Sequence, residues 1–257
     1  MRSAVLLCNR RIFMPETEIL QSVFLRLSEG FLVTLQIFFE TLIIALPVGL
    51  ILSFGSMSKF KPLKFLVRVL VWVIRGTPLV LQLIVIFYGP GLIATMAQEY
   101  IMEQVAQGIM PNDFVIWIST WECMERPVAV IFSFSLNYAC YFSEIFRGGI
   151  ESISKGQYEA CQVLGMTKAQ AFFKVVLLQV IKRILPPMSN EIITLVKDTS
   201  LARVISVYEL IWAGEVFIKL NGLLWPLLTT GIFYLAFNGI LTLFFGKLEK
   251  KLNYYQS

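Results

Sequence analysis

Long apolar runs, separated by charged connections, dominate the pattern of this chain. Four runs are almost free of charge, while a fifth is interrupted by Glu191, Lys197, Asp198 and Arg203. A helix needs about 20 mainly apolar residues to cross the ~30 Å hydrocarbon core of a bilayer. The pattern therefore predicts membrane-spanning helices over five ranges, which are residues 31–58, 76–98, 127–145, 186–207 and 220–246.

Lys and Arg alternate between the connections, and this alternation sets the number of crossings. Residues 59–75 hold five basic residues and no acidic one, whereas residues 99–126 hold five acidic residues and one basic residue. Residues 147–183 again hold six basic residues against two acidic ones. Because Lys and Arg accumulate in cytoplasmic loops, residues 59–75, residues 147–183 and the C-terminus are predicted to be cytoplasmic. An even number of spans then separates the last two, so the weak run must also cross.

Five crossings place the N-terminus outside and predict an all-α integral membrane protein. Residues 30–248 form the predicted transmembrane domain, preceded by an external segment (residues 1–29) and followed by a cytoplasmic tail (residues 249–257). Met14-Pro15-Glu16-Thr17 reads as an alternative start, and residues 1–13 hold no apolar stretch of signal-peptide length. Residues 1–13 are therefore left out of the fold prediction.

Composition supports this class and excludes several kinds of chemistry. Only 15% of the 257 residues are charged and 57% are hydrophobic, whereas soluble domains carry about 25% charged residues. The net charge of +5 is too small to predict nucleic-acid binding. The chain has no histidine and four scattered cysteines, which disfavours metal centres and nucleophile–histidine pairs. It also has no phosphate-binding loop, so any ATP must be bound by another chain, and no metal or cofactor is expected.

The cytoplasmic connection over residues 147–185 predicts a helix, a turn and a second helix. Residues 157–164 favour helix, with Tyr158, Cys161 and Leu164 on one face. Gly165 is a natural stop, and Thr167 can cap a second helix through residues 168–178. The pair Pro186-Pro187 is predicted to end this region and to open the fourth span.

Residues 59–75 form the other notable cytoplasmic segment. Phe65, Leu66, Val69, Leu70 and Val73 make an apolar stripe at helical spacing, while Lys64 and Arg68 lie on another flank. This pattern favours an amphipathic helix at the membrane interface that leads into the second span. Contact with an ATPase subunit is the alternative interpretation.

At these motifs the chain resembles the permease subunits of bacterial ABC importers, in the polar amino-acid branch of the type I importer fold. Gly165 follows Glu159 by six positions, the spacing of that branch, although Cys161 stands where the family has Ala. Three further stretches match in order and on the predicted sides: residues 75–83, 136–150 and 197–201. The external segment over residues 97–126 is longer than the branch leads us to expect.

The resemblance implies a division of labour among several chains. Two permease subunits, as a homodimer or a heterodimer, would form the path, an ATPase dimer would hydrolyse ATP in the cytoplasm, and an external substrate-binding protein would deliver an amino acid. The chain itself would have no catalytic site. The implied coupling-loop residues are Gly156, Glu159, Ala160, Cys161 and Gly165. For Glu159 the alternative is a simple interaction with the dipole of its helix.

Charged groups inside the predicted spans are the second set of candidates. Each costs roughly 2.5–3.5 kcal/mol if it faces lipid, so these groups should face the bundle interior, one another or water. They either form internal ion pairs, such as Lys197 with Glu40 or Glu191, or line a path for the substrate. Glu144 can equally pair with Arg147. The residues predicted to line the path or its gate are Thr77, Gln82, Glu144, Lys197, Asp198, Thr199 and Ser200.

These observations predict a permease subunit that moves polar amino acids across the bacterial cytoplasmic membrane. The acidic excess inside the spans mildly favours cationic substrates. An ion-coupled secondary transporter of a small polar solute is the alternative, but the odd number of spans and the coupling loop argue against it. The absence of histidine and of a nucleophile elbow disfavours an intramembrane enzyme.

Overall fold

A computed structural model describes residues 16–252 of the chain, and the elements assigned within that range are helices. They are α1 (Glu16–Met57), α2 (Lys61–Arg75), α3 (Leu79–Ala106), α4 (Asp113–Ser119), α5 (Arg126–Glu151), α6 (Lys155–Val163), α7 (Lys168–Ala171), α8 (Leu177–Asp198), α9 (Leu210–Asn221) and α10 (Trp225–Leu252). A π-helical turn, Phe172–Val176, joins α7 to α8, and a 3₁₀ helix, Thr199–Ile205, follows α8. The predictions for residues 1–13 lie outside the described range.

Four helices, α1, α3, α5 and α10, are long and apolar enough to cross a membrane. The prediction of an all-helical chain with several membrane helices is therefore confirmed. α8 overlaps the interrupted apolar run over residues 186–207, where the fourth span was predicted. It is not among these four helices, and it carries Glu191, Lys197 and Asp198. A crossing by α8 stays a prediction.

The membrane helices are longer than the apolar runs that predicted them. α1 has 42 residues, about 63 Å at 1.5 Å per residue, and so exceeds the thickness of the hydrocarbon core. It begins at Glu16 rather than at residue 31 because Val23 and Leu27 are buried against Leu210 and Phe217 of α9. Packing against another helix thus extends α1 beyond the apolar run.

Local backbone chemistry moves the other predicted boundaries. α3 starts at Leu79 rather than at residue 76, because Pro78 adopts an extended conformation as its N-cap. α10 starts at Trp225 rather than at residue 220, because Gly222 has a left-handed φ of 69° and ends α9 there. α10 continues to Leu252, so the helix extends past residue 249. The cytoplasmic tail from residue 249 stays a prediction.

The connection between α5 and α8 contains the predicted turn but a different second helix. Gly165 has a φ of 67°, which favours glycine, and it separates α6 from α7. Thr167 caps α7 in a reciprocal arrangement with Gln170, as predicted. α7 then passes through the π-helical turn into α8, which contains Pro186 and Pro187. The helix therefore does not end at this proline pair, although the pair removes two backbone N–H donors from α8. That the pair opens the fourth span stays a prediction.

The core lies where α1 packs along α5. Gly49 allows the close approach, because a Cβ atom there would lie 2.9 Å from the Ala139 carbonyl oxygen and 2.9 Å from the Phe142 Cβ. Phe38, Phe142 and Leu195 are fully buried in the same cluster. This core brings α5 against α8 and so positions the polar groups that the two helices carry.

The end of the bundle where the 3₁₀ helix meets α9 is built around a buried carboxylate, Glu209. The 3₁₀ helix ends at Ser206, which has a φ of 63°, and Glu209 then caps α9. The Glu209 oxygens accept from the backbone N–H groups of Ile211 and Trp212 at 2.8 Å each. Burial raises the pKa of the Glu209 carboxyl, whereas the two N–H donors act in the opposite direction. Tyr234 of α10 donates to the same carboxylate at 3.3 Å, which ties the start of α9 to α10.

Candidate functional site

A tyrosine–carboxylate hydrogen bond joins α5 to the end of α8. The Tyr138 hydroxyl donates to Asp198 Oδ2 at 2.8 Å, and the Tyr138 ring is buried in the core cluster. Asp198 is only partly buried, so the bond holds its carboxylate at the edge of the core. The arrangement fixes the position of one charged group within the bundle.

A polar face extends along α8 from this carboxylate. Asn190, Glu191, Thr194, Lys197 and Asp198 fall at spacings of one, three, three and one residues, so they share one side of the helix. Lys197 is exposed. Five ion pairs within 4 Å are found in residues 16–252, and none of them includes Lys197, Glu40 or Glu191. The internal pairs of Lys197 with Glu40 or Glu191 are therefore not formed in this structure. We refer to these five residues as the α8 polar face.

Glu40 has a different neighbour. Gln36 donates to its carboxylate at 2.8 Å from one turn earlier in α1. Glu40 borders an apolar cavity of about 480 Å³ between α1 and α5, lined by Ile44, Val128 and Ile131 among others. It lies apart from the α8 polar face.

Gln82 connects α3 to the turn before it and to α5. Its side-chain amide donates to the Ile74 carbonyl at 2.7 Å and to Thr77 Oγ1 at 2.8 Å. Its Oε1 accepts from Asn137 at 3.0 Å. Two of the predicted path residues, Thr77 and Gln82, are thus in contact, and Gln82 holds the break between α2 and α3 against α5.

Thr199 and Ser200 satisfy their hydroxyls locally. Thr199 is fully buried and donates to the Val196 carbonyl at 2.7 Å, while Ser200 donates to the Lys197 carbonyl at 2.7 Å. Both hydroxyls therefore stabilise the junction between α8 and the 3₁₀ helix.

The inner end of α5 carries a network of charged groups. Glu144 accepts two hydrogen bonds from Arg147, at 2.5 and 3.1 Å, which is the pairing predicted as the alternative for Glu144. Arg75 lies 3.6 Å from Glu144 and 5.1 Å from the centre of the Tyr141 ring. These groups border a polar cavity of about 420 Å³ that also reaches Glu191. The cavity brings the end of α2 and the α8 polar face to one site.

The coupling-loop candidates lie on α6 and its turn. Glu159 and Ala160 are exposed and Cys161 is buried, while Gly156 lies in the first turn of α6 and Gly165 follows its end. Glu159 lies beyond the first turn of α6, where Ser154 is the N-cap, so the helix-dipole interpretation does not fit well. Val163 and Leu164 at the end of α6 are 88% and 77% exposed, which leaves an apolar tip beside the exposed carboxylate.

Sequence reasoning did not select several residues that the structure brings into these sites. Tyr138, Asn137 and Arg75 bind three of the predicted residues directly, and Val163 forms the tip of α6. Tyr138 and Asn137 are uncharged, so a search for charged groups inside spans passed over them. Polar residues in an otherwise apolar run were the available signal.

Sequence comparison finds related membrane proteins across most of the chain. The family described as "Binding-protein-dependent transport system inner membrane component" matches residues 45–254. The L-cystine transport system permease protein TcyB of Bacillus subtilis (strain 168) is 38% identical over 190 residues, covering 74% of this chain and 70% of TcyB. The arginine transport system permease protein ArtQ of the same organism is 34% identical over 227 residues, covering 87% of this chain and 91% of ArtQ.

Solved structures share the same fold. A chain from an amino acid ABC transporter crystallised with histidines superposes with a TM-score of 0.72 at 24% identity, covering 93% of this chain and 100% of that chain. A chain of the MetNI methionine ABC transporter in an inward-facing conformation gives a TM-score of 0.60 at 16% identity, covering 89% and 96%. At such identities the likeness establishes the fold alone. Together with the matched residues 45–254, these findings place the chain in the family of inner membrane components of binding-protein-dependent transport systems.

Proposed function

We propose that this chain forms the membrane path for a polar amino acid in an ABC importer driven by ATP hydrolysis on separate subunits. Related permeases named for arginine and for L-cystine support the substrate class. The acidic excess near the path favours cationic amino acids among the polar ones. The chain acts as a transport subunit and leaves hydrolysis to its partners.

The observation that carries the proposal is the pair of opposite charges on the α8 polar face. Lys197 and Asp198 are consecutive, lie at the end of α8 and are not paired with each other within 4 Å. An amino acid carries one ammonium and one carboxylate group, which such a pair can bind in turn as the substrate passes. The helix junctions are supported by Thr77 and Gln82 between α2 and α3, and by Thr199 and Ser200 at the end of α8. Glu144 lines the polar cavity that reaches Glu191 of α8.

The topology follows from the same proposal. The chain crosses the inner membrane five times with α8 and the 3₁₀ helix as the fourth crossing, the N-terminus outside and the C-terminus in the cytoplasm. A second permease subunit completes the path, and an external substrate-binding protein meets the outer face. The basic connections support this orientation.

The helix–turn–helix of α6 and α7 docks on the ATPase dimer in this proposal. Exposed Glu159 supplies a charge, Val163 supplies apolar area, and Ala160 allows a close approach. Buried Cys161 fixes α6 to the permease, Gly156 lies in the first turn of α6, and Gly165 makes the turn after it. Closure of the ATPase dimer then moves α8 through the continuous connection from α7.

Uptake into vesicles tests the proposal. The permease, its ATPase and its binding protein are reconstituted, and uptake of radiolabelled arginine, cystine and glutamine is measured with and without ATP. Asp198→Asn should reduce uptake at least ten-fold while ligand binding to the external protein is unchanged. Asp113→Asn, the same change on exposed external α4, should leave uptake intact.

Two results would contradict this function. Uptake that depends on an ion gradient and ignores ATP would support the secondary transporter instead. Full uptake by Asp198→Asn would remove Asp198 from the path.

A further inference from the structure

Helix α2 carries a stripe of cations on one side. Lys61, Lys64 and Arg68 are spaced three and four residues apart, so their side chains share one face of the helix. Arg75, seven residues after Arg68, continues the same line, but it is engaged by Glu144 and Tyr141. We refer to Lys61, Lys64 and Arg68 as the α2 basic stripe.

The α2 basic stripe forms no ion pair within 4 Å in residues 16–252, although the attraction of Glu144 reaches Arg68 from a longer distance. No acidic residue occurs in residues 59–75, and the first turn of α2 holds none. Across residues 16–252, no carboxylate lies within 4 Å of the nitrogens of the three cations. Three neighbouring positive charges repel one another, so an anion from outside the chain would stabilise them.

An exposed apolar line runs beside the stripe. Phe65 and Trp72, seven residues apart, are 67% and 76% exposed, and Val69 lies between them on the same side. The side of α2 that faces away from Phe65 and Trp72 packs on the bundle: Val71 is buried, and Val67 lies against Gly55 near the end of α1. This packed side borders the stripe at Lys64, which is half-buried, whereas Lys61 and Arg68 are exposed. α2 thus offers outward one cationic line and one aromatic line in parallel.

The order of residues along α2 indicates how a phospholipid would lie beside it. Its first residues follow Lys59 in the connection after α1, and its last residues lead into α3, a helix long and apolar enough to cross the membrane. The cations lie in the first half of α2, while Trp72 lies near its end. A headgroup phosphate at Lys61 and Lys64 would therefore leave its acyl chain running along α2 towards Trp72.

We propose that the α2 basic stripe binds the phosphate of acidic phospholipids in the cytoplasmic leaflet, with Phe65 and Trp72 against their acyl chains. Basic residues at a membrane surface attract anionic lipids, and exposed aromatic side chains favour the interface. The aromatic line leads towards α3, which is long and apolar enough to cross the membrane, and this continuity favours lipid over an ATPase as the occupant.

Quenching of Trp72 fluorescence by brominated lipids tests the proposal. The purified full-length chain is placed in nanodiscs containing either brominated phosphatidylglycerol or brominated phosphatidylcholine at equal mole fraction. Trp72→Phe identifies the Trp72 contribution among the five tryptophans. Phosphatidylglycerol should quench Trp72 more strongly, with the preference falling up to about five-fold for each cation removed.

Matched variants separate the stripe from general positive charge. Lys61→Gln/Lys64→Gln/Arg68→Gln should abolish the preference, whereas Lys61→Arg/Lys64→Arg should retain it. Lys247→Gln/Lys250→Gln/Lys251→Gln removes three cytoplasmic cations from α10 and should leave Trp72 quenching unchanged. Each variant is compared by circular dichroism and thermal unfolding to confirm that it folds.

Three outcomes would overturn the proposal. The first is equal quenching of wild-type Trp72 by both lipids. The second is an equal loss of preference in the α10 variant. The third is unchanged quenching in the α2 variant together with lost binding of the ATPase, which would make α2 a protein contact.

Discussion

Asp198 occupies an unusual position for a carboxylate, at the end of a helix that the protein places against its apolar core. Leaving such a group without a hydrogen bond would cost several kcal/mol. Tyr138 provides the bond from a neighbouring helix, and its ring is itself packed in the core. The pair therefore serves both packing and the placement of charge.

Removing the Tyr138 hydroxyl tests this dual role. Tyr138→Phe keeps the ring but leaves Asp198 without its donor, which should lower the stability of the purified protein by about 1.5–3 kcal/mol. Thermal unfolding in detergent measures the change. Tyr141→Phe is the matched control, because its ring stacks on Arg75 and no hydrogen bond of its hydroxyl is found within residues 16–252. Equal destabilisation by both changes would assign the effect to general packing.

At this scale the sequence predicted charged residues better than their partners. Lys197 and Asp198 were identifiable because a charge inside an apolar run is rare and costly. Tyr138 and Asn137 were not, because their contacts join positions 60 and 55 residues apart in the chain. Only the packing of α5 against α3 and α8 brings those positions together.

Helix α6 presents its partner surface at one end. Its exposed residues Glu159 and Val163 contrast with Cys161, which is buried on the other side. A short helix with one buried side and one exposed side packs on its own chain through the buried side. Its exposed side is then available to bind a partner. This agrees with the proposed docking on an ATPase.

Charge reversal at α6 should uncouple the two subunits. Glu159→Arg is expected to reduce the ligand-stimulated rate of ATP hydrolysis at least ten-fold, because it places a cation where the partner meets a carboxylate. Hydrolysis is measured in the reconstituted complex, and association by co-purification. Glu99→Arg makes the same charge change on α3, on the external side in the proposed topology. It should leave both hydrolysis and association unchanged. Unchanged association together with unchanged stimulation would contradict the coupling role.

Element boundaries depend on information that hydropathy does not contain. Gly165 and Thr167 were predicted correctly because a left-handed turn and a helix cap have local sequence signals. The continuity from α7 through the π-helical turn into α8 has no such signal. A proline pair ordinarily marks a helix end, but the helix continues through Pro186 and Pro187 here.

The whole molecule has cysteines at different depths, and this allows a test of orientation. Cys123 is exposed in the connection before α5, whereas Cys140 and Cys161 are buried. Cys8 lies outside the described residues. The proposed topology puts Cys123 outside the cell and α6 inside it.

Labelling of intact cells measures this orientation. In a Cys8→Ser background, a membrane-impermeant maleimide should label Cys123, and Cys123→Ser should abolish the signal. Ser154→Cys, introduced at the start of α6 in a background lacking Cys8 and Cys123, should react only after the membrane is permeabilised. Labelling of Ser154→Cys in intact cells would invert the proposed topology.

The polar composition of α8 has a consequence for how the protein is made. Glu191, Lys197 and Asp198 each oppose partitioning from the translocon into lipid. On the five-span topology, the nascent α8 cannot enter the bilayer as an independent stop or start sequence. Its stable insertion requires contacts with Tyr138 of α5 and with α10, which is synthesised later. Insertion of the fourth crossing therefore coincides with tertiary assembly. The charges that we propose to meet the substrate therefore also oppose the insertion of α8 before its neighbouring helices are in place.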